Sequence, residues 1–180
     1  LEGKSLAEIG EIKGVDPSDA AFDLLVSEHA AVAMIIHWGR EEDVMRVMGH
    51  PLQMVGSDGV FGGKPHPRLY GSFPRVLGRY AREQKAFPIW EGIRKMTGAP
   101  AQLLRLKERG FLREGNWADV VVFDPNTVQD RATYENPLQE PVGIRHVLVN
   151  GELSVTDGKY LGTTAGQVIR KGRSHQFTGE

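Results

Sequence analysis

Hydrophobic positions in the first half of the chain alternate between helical spacing and short continuous runs. Leu6, Ile9 and Ile12 share one face of a predicted helix, and Ser5 with Glu8 has the spacing of a capping box. Near-continuous apolar runs at 30–36 and 52–57 predict strands that are covered on both sides. Helical spacing and cap residues predict further helices that begin near positions 17, 41, 74 and 88. This order of helices and strands predicts parallel βα units.

The second half of the chain changes to short strands and tight turns from Gly110 onward. Apolar runs at 120–123 and 144–149 predict strands, and the second leads into Asn150-Gly151, a strong hairpin signal. Asp157-Gly158 predicts another turn. We therefore predict an α/β unit over residues 1–109, a β unit over 110–170, and a flexible polar tail over 171–180.

Composition narrows the classes of function. The 180 residues carry 22 Lys and Arg against 23 Asp and Glu, a net charge of -1, which provides no electrostatic basis for binding nucleic acid or an anionic membrane. No apolar run approaches the length of a membrane span, and no signal-peptide pattern opens the chain. The absence of cysteine excludes disulfides and thiolate ligands and favours a cytoplasmic location, which we predict.

Asp58 is the first candidate for chemistry. It closely follows the apolar run 52–55, and the C-terminal ends of buried strands are where α/β enzymes place catalytic groups. A loop rich in glycine, proline and cationic or ring-bearing side chains follows, over residues 59–71. The alternative is that Asp58 only caps a turn, because Ser-Asp-Gly is also ordinary turn chemistry.

Longer motifs in and beyond this loop are similar to one enzyme family. They are Gly56-Ser57-Asp58-Gly59, His66-Pro67-Arg68-Leu69-Tyr70-Gly71-Ser72-Phe73-Pro74-Arg75, Ile93-Arg94-Lys95-Met96-Thr97 and Ala118-Asp119-Val120-Val121-Val122-Phe123-Asp124-Pro125. These residues resemble the N-acyl-D-amino-acid deacylases (D-aminoacylases) of the amidohydrolase superfamily. The His-Pro-Arg and Phe-Pro-Arg loop is specific to the deacylase branch, whereas the Ala-Asp strand is shared by many amidohydrolases.

The resemblance implies a metal-dependent (β/α)8 barrel and a small β-sandwich built from both chain ends. A complete barrel takes about 250 residues, so the chain resembles the last βα units of the barrel followed by part of the sandwich. The family holds zinc through a His-x-His pair, a cysteine and histidines of the middle strands, and this sequence has neither the pair nor the cysteine. Its histidines lack metal-ligand spacing: His29, His37, His50, His66, His146 and His175. Zinc is therefore expected as a cofactor whose ligands lie mostly outside this chain, with Asp58 a possible ligand.

The resemblance also implies roles for the loop residues. Asp58 matches the family's general acid/base, and Arg68 matches an arginine that binds the substrate α-carboxylate. A guanidinium suits that role because it offers a carboxylate two parallel donors, although pairing with a structural acid is the alternative. His66 and Tyr70 are candidates for substrate contacts in the same pocket, with loop packing as the alternative for each.

Three further side chains have weaker signals. His37 and Trp38 follow the first predicted strand and would border the pocket if the barrel interpretation holds, although a packed tryptophan is an equal alternative. Arg75 lies near a predicted helix start, where a cation opposes the helix dipole. We therefore predict that Arg75 has a specific partner and no catalytic role.

The resulting function prediction is zinc-dependent hydrolysis of the amide bond of N-acyl-D-amino acids, which gives a carboxylate and a D-amino acid. The expected partners are this small-molecule substrate and the missing N-terminal part of the same enzyme, possibly as another chain. One alternative is a cyclic-amide amidohydrolase of the dihydropyrimidinase or hydantoinase type, which the His-Pro-Arg loop disfavours. Another is a non-catalytic fragment or partner chain.

Overall fold

A computed structural model describes residues 1–170, and the predicted tail 171–180, with His175, lies outside the described residues. The chain begins with two packed helices, α1 (Leu6–Lys13) and α2 (Pro17–Ser27). The predicted capping box is confirmed, because the Glu8 amide donates to Ser5 Oγ at 3.2 Å and the Ser5 amide donates to Glu8 Oε2 at 2.7 Å.

Within residues 1–170, five further helical segments follow, and some of them contribute to a small core. They are α3 (Glu41–Met48), α4 (Arg68–Arg75), a π-helix (Val76–Glu83) that continues α4 directly, α5 (Ile89–Met96) and α6 (Gly98–Leu104). The core consists of Met48 from α3, Val76, Tyr80 and Ala81 from the π-helix, and Phe87. The helix predicted to begin near position 74 in fact begins at position 68, because Pro74 is accommodated inside α4 close to its junction with the π-helix. No helix of residues 1–170 is long and apolar enough to cross a membrane.

The two strands predicted at 30–36 and 52–57 are not formed, and this part of the prediction was wrong. Residues 31–38 and 53–61 have no regular secondary structure, and the described residues contain no parallel pair of strands. A parallel strand needs hydrogen bonds to neighbouring strands, and residues 1–170 place none beside these segments. Met34 and Ile36 are consequently 78% and 63% exposed, although they belong to an apolar run.

The second half forms one antiparallel sheet, as its turn signals predict. Its strands β1 (Val120–Phe123), β2 (Ile144–Val149), β3 (Glu152–Thr156) and β4 (Lys159–Tyr160) lie in the order β1-β2-β3-β4. Asn150 and Gly151 between β2 and β3 both have positive φ, 50° and 85°, as a type I′ turn requires. Asp157 and Gly158 between β3 and β4 have φ values of 45° and 76°, so the predicted hairpin at Asn150-Gly151 and the predicted turn at Asp157-Gly158 are both confirmed.

The π-helix connects the two halves through a close backbone contact. Arg82 donates to the carbonyl oxygen of Val128 at 2.6 Å and to Gln129 Oε1 at 2.7 Å. One turn away, a Cβ on Gly78 would lie 2.6 Å from the Val128 carbonyl oxygen and 2.3 Å from Gln129 Oε1. Only glycine therefore permits this approach, which places the chain after residue 128 against α4 and the π-helix.

Candidate active site

Asp58 lies in a tight turn and has an exposed carboxylate. Its φ is +48°, in the left-handed region that aspartate adopts more readily than most residues. The Gly59 amide donates to Ser57 Oγ at 3.3 Å, which closes the turn around Asp58. Ser57, rather than Asp58, supplies the side-chain hydrogen bond of this turn, and the Asp58 carboxylate is 81% exposed. A turn and a catalytic carboxylate are compatible at this position.

The loop after Asp58 folds back and brings Arg68 to it. A Cβ on Gly59 would meet Leu69 Cδ1 at 2.9 Å and Leu69 Cα at 3.1 Å, so glycine allows the start of α4 to lie against the turn. Arg68 Nη2 is consequently 3.0 Å from Asp58 Oδ2. Both side chains are substantially exposed, and such a pair contributes only about 0–1 kcal/mol. The structure thus joins the two main candidates in an ion pair that a ligand can exchange at low cost.

His66 links Arg68 to Tyr134, a residue that sequence reasoning missed. His66 Nδ1 accepts a hydrogen bond from the Arg68 amide at 3.0 Å, and His66 Nε2 lies 3.4 Å from the Tyr134 hydroxyl. The Tyr134 ring has edge contacts with His66 at 5.2 Å and with His37 at 4.9 Å between ring centroids. Tyr134 is 68 positions from His66 and belongs to the second half of the chain, so no local spacing signals this contact.

These side chains line a cleft of about 690 Å³. Its walls are Met34, Ile35, Ile36, His37, Trp38, Gly39, His66, Arg68 and Tyr134. The prediction that His37 and Trp38 border the pocket is therefore consistent with the structure, although no barrel strand carries them. Burial lowers the pKa of His66, and electrostatic repulsion from Arg68, His37 and Arg75 lowers this pKa further, which favours the neutral imidazole.

Arg75 fixes the segment that carries Tyr134. Its Nε donates to Asp130 Oδ2 at 2.9 Å, and its Nη2 lies 2.8 Å from the same oxygen. The Asp130 side chain is only 5% exposed, so its carboxylate is shielded from solvent, whereas the Arg75 side chain is 40% exposed. A Cβ on Gly71 would lie 3.3 Å from Asp130 Cβ, which shows how closely α4 approaches this segment. The prediction of a specific partner for Arg75 is confirmed.

Tyr70 lies on a different surface from the other candidates. It lines a second, mainly apolar cleft of about 610 Å³ between the helices and the sheet, together with Phe73, Leu77 and Val147. The structure therefore brings Asp58, Arg68 and His66 together but does not bring Tyr70 to them. The substrate contact of Tyr70 remains a prediction.

Lys95 supports the segment that leads to Asp58, and sequence reasoning gave it no role. It is 1% exposed, and its Nζ donates to the carbonyl oxygens of His50 at 2.7 Å and Gln53 at 3.2 Å. The Lys95 carbonyl oxygen accepts from the Val55 amide at 3.1 Å. The available signal was only that a lysine shares the buried face of α5 with Gly92.

The described residues do not form a complete metal site. Residues 1–170 contain no group of three or more His, Asp or Glu side chains arranged to hold a metal ion. Asp58 is instead joined to a cation, Arg68. The donor set in this part of the chain therefore does not fit zinc without additional ligands.

Comparisons with known proteins agree on one family. The model of the amidohydrolase family matches residues 2–155. An N-acyl-D-glutamate deacylase of Alcaligenes xylosoxydans xylosoxydans is 48% identical over 150 residues, which are 83% of this chain and 30% of that protein.

Two solved structures share the fold of this chain. One is a D-aminoacylase that defines a novel subset of amidohydrolases, with a TM-score of 0.82, 41% identity and coverage of 91% of this chain and 34% of that one. Another is an N-acyl-D-glutamate deacylase from Bordetella bronchiseptica complexed with zinc and a phosphonate mimic of the tetrahedral intermediate, with a TM-score of 0.75, 45% identity and coverage of 86% and 33%. The chain thus spans about a third of the length of these relatives, and it belongs to the amidohydrolase family.

Proposed function

We propose that this chain is part of a zinc-dependent enzyme that hydrolyses the amide bond of N-acyl-D-amino acids. The observation that carries the proposal is the pairing of Asp58 with Arg68, a residue that lines the cleft, at 3.0 Å. One group suits proton transfer and the other suits binding of a carboxylate, the two tasks that such a substrate presents. The similarity to a D-aminoacylase and to N-acyl-D-glutamate deacylases supports the same assignment.

Asp58 has the role of general acid/base in this proposal. As a carboxylate it accepts a proton from the attacking water while the water oxygen bonds to the amide carbonyl carbon. As the carbon–nitrogen bond breaks, it returns the proton to the leaving nitrogen, so that the carboxylate is regenerated. Its exposed position at the tip of a turn allows it to reach both atoms in sequence.

Arg68 binds the α-carboxylate of the substrate. Its guanidinium contacts the Asp58 carboxylate at 3.0 Å, which supports the binding of a carboxylate at this position. When the substrate carboxylate replaces Asp58 as its partner, the Asp58 carboxylate is released for proton transfer. His66 orients the backbone of Arg68 and lines the same cleft, and Tyr70 is retained as a weaker candidate for a substrate contact.

The intact enzyme in this proposal is larger than the chain. In the intact enzyme, where other parts of the barrel would supply strand partners for residues 31–38 and 53–57, residues 1–109 would complete the last βα units of a (β/α)8 barrel, and residues 110–170 would form part of a small β-sandwich. The N-terminal part, in the same polypeptide or in another chain, supplies most zinc ligands, with Asp58 a possible additional one, and the enzyme is cytoplasmic. Exposed apolar residues at 34–38 and the apolar cleft between the helices and the sheet support packing against further chain.

The test is an Asp58→Asn substitution in the intact enzyme, assayed with N-acetyl-D-methionine, N-acetyl-D-glutamate and a hydantoin. We expect hydrolysis of an N-acyl-D-amino acid and a loss of about 10²–10⁴-fold in kcat on substitution, the usual contribution of a positioned proton-transfer group. Asp157→Asn is the matched control, because Asp157 is also an exposed turn aspartate with positive φ and an arginine partner, Arg145. Near-normal kcat for Asp58→Asn would reduce this residue to a turn cap, and turnover of the hydantoin alone would assign the enzyme to the cyclic amides.

A further inference from the structure

Tyr134 has a hydroxyl group whose orientation is set by its neighbour. His66 Nδ1 accepts from the Arg68 amide, so the neutral ring carries its proton on Nε2. This Nε2–H faces the Tyr134 hydroxyl at 3.4 Å and donates to its oxygen. The phenolic proton is therefore directed elsewhere. Within residues 1–170, His66 is the hydrogen-bond partner found for this hydroxyl.

The proton of Tyr134 is available at the cleft that Arg68 lines. Tyr134 and Arg68 both belong to its walls, and both remain partly exposed there. The segment of Tyr134 is held in place by the ion pair of Arg75 with the buried Asp130 carboxylate, so the ring is not on a free loop. A guanidinium and a phenolic O–H at the same cleft provide three or more donors for an oxyanion. The described residues that line the cleft include no carboxylate, and Asp58 competes only through its contact with Arg68.

We propose that the Tyr134 hydroxyl and the Arg68 guanidinium together bind the carboxylate of the ligand that occupies this cleft. The inference rests on the proposed function for the identity of that ligand, an N-acyl-D-amino acid. It adds a residue from the second half of the chain to the binding site. It also gives His66 a definite task, since its tautomer directs the phenolic proton of Tyr134 away from the imidazole.

The experiment is a comparison of Tyr134→Phe with the unsubstituted intact enzyme on an acid and its neutral isostere, N-acetyl-D-methionine and N-acetyl-D-methioninamide. Phenylalanine keeps the ring contacts with His37 and His66 and removes only the hydroxyl. We expect kcat/KM for the acid to fall about 10- to 100-fold, the usual effect of losing a hydrogen bond to a charged group. The amide should change less than about threefold, because it carries no charge for this hydroxyl to bind. Tyr160→Phe is the matched control, since Tyr160 donates its hydroxyl hydrogen bond to Thr163 in the sheet region.

Each outcome decides the proposal. An equal loss on acid and amide would show that Tyr134 acts only on folding or on the position of the loop, and an unchanged acid would show that its hydroxyl does not bind the carboxylate. If Tyr134→Phe fails to fold, 3-fluorotyrosine is incorporated at position 134 in its place. The value of kcat/KM should then fall for the acid, but not for the amide, as the pH rises and the phenol loses its proton. Failure of the unsubstituted enzyme on every N-acyl-D-amino acid would refute the proposed function, whereas activity with an insensitive Tyr134→Phe would refute this inference alone.

Discussion

Replacing Lys95 by methionine removes the buried ammonium that holds the segment before Asp58. Methionine fills a similar volume but offers no donor to the carbonyl oxygens of His50 and Gln53, which now bond to Nζ at 2.7 and 3.2 Å. A buried acceptor that loses its partner costs about 1–3 kcal/mol. Two effects limit the loss. His50 is an exposed residue, so water can donate to its carbonyl oxygen in place of Lys95 Nζ, and methionine avoids the cost of burying an ammonium. We therefore expect about 1–3 kcal/mol of lost local stability in total.

Hydrogen exchange detected by mass spectrometry measures this loss at the place where it occurs. The Val55 amide is hydrogen-bonded to the Lys95 carbonyl oxygen at 3.1 Å, so its exchange reports opening of the segment. A loss of 1–3 kcal/mol accelerates exchange about 5- to 150-fold in peptides that cover residues 50–58. The control is Lys107→Met, because Lys107 is exposed. Unchanged exchange over residues 50–58 in Lys95→Met would refute the role assigned to this lysine.

Other parts of the structure predict equally definite results. Gly78→Ala should lower the free energy of unfolding of the intact protein by about 1–3 kcal/mol in chemical denaturation, because the added Cβ would lie 2.6 Å from the Val128 carbonyl oxygen. Gly14→Ala is the control: no atom lies within 4 Å of its added Cβ, but its φ is +69°, so it measures the cost of backbone strain alone. Arg68→Lys should lower kcat/KM for an N-acyl-D-amino acid by an amount equivalent to about 1.5–3 kcal/mol of transition-state stabilisation, because an ammonium lacks the planar fork of a guanidinium. If Arg68→Ala still prefers the acid over its amide as strongly as the unsubstituted enzyme, another residue binds the carboxylate. Folding lowers the pKa of His66, so the hydrogen bond from the Arg68 amide to His66 Nδ1 is present above the ordinary histidine pKa. It should be lost as the pH falls through the lowered pKa of His66 in the folded protein, because protonation removes the acceptor. The Arg68 amide resonance in NMR measures this change.

The sequence was sufficient for the features that depend on near neighbours. The capping box of Ser5 and Glu8 spans three positions, and the turn at Asn150-Gly151 needs only two residues with positive φ. These elements form where predicted because their stabilising contacts lie within the segment itself. The pairing of Asp58 with Arg68 is nearly as local, since the intervening loop of nine residues, 59–67, with a glycine at its start brings them together.

Features that depend on distant parts of the chain required the folded structure. The runs at 30–36 and 52–57 are apolar, but a strand exists only when another strand supplies its hydrogen bonds, and residues 1–170 supply none. Lys95 is buried because carbonyl oxygens more than 40 positions earlier accept its protons. Tyr134 reaches His66 across 68 positions because Gly78, Arg75 and Arg82 hold the chain after residue 128 against the helices. Such contacts have no period or spacing along the chain, and their positions follow only from the packing of the two halves.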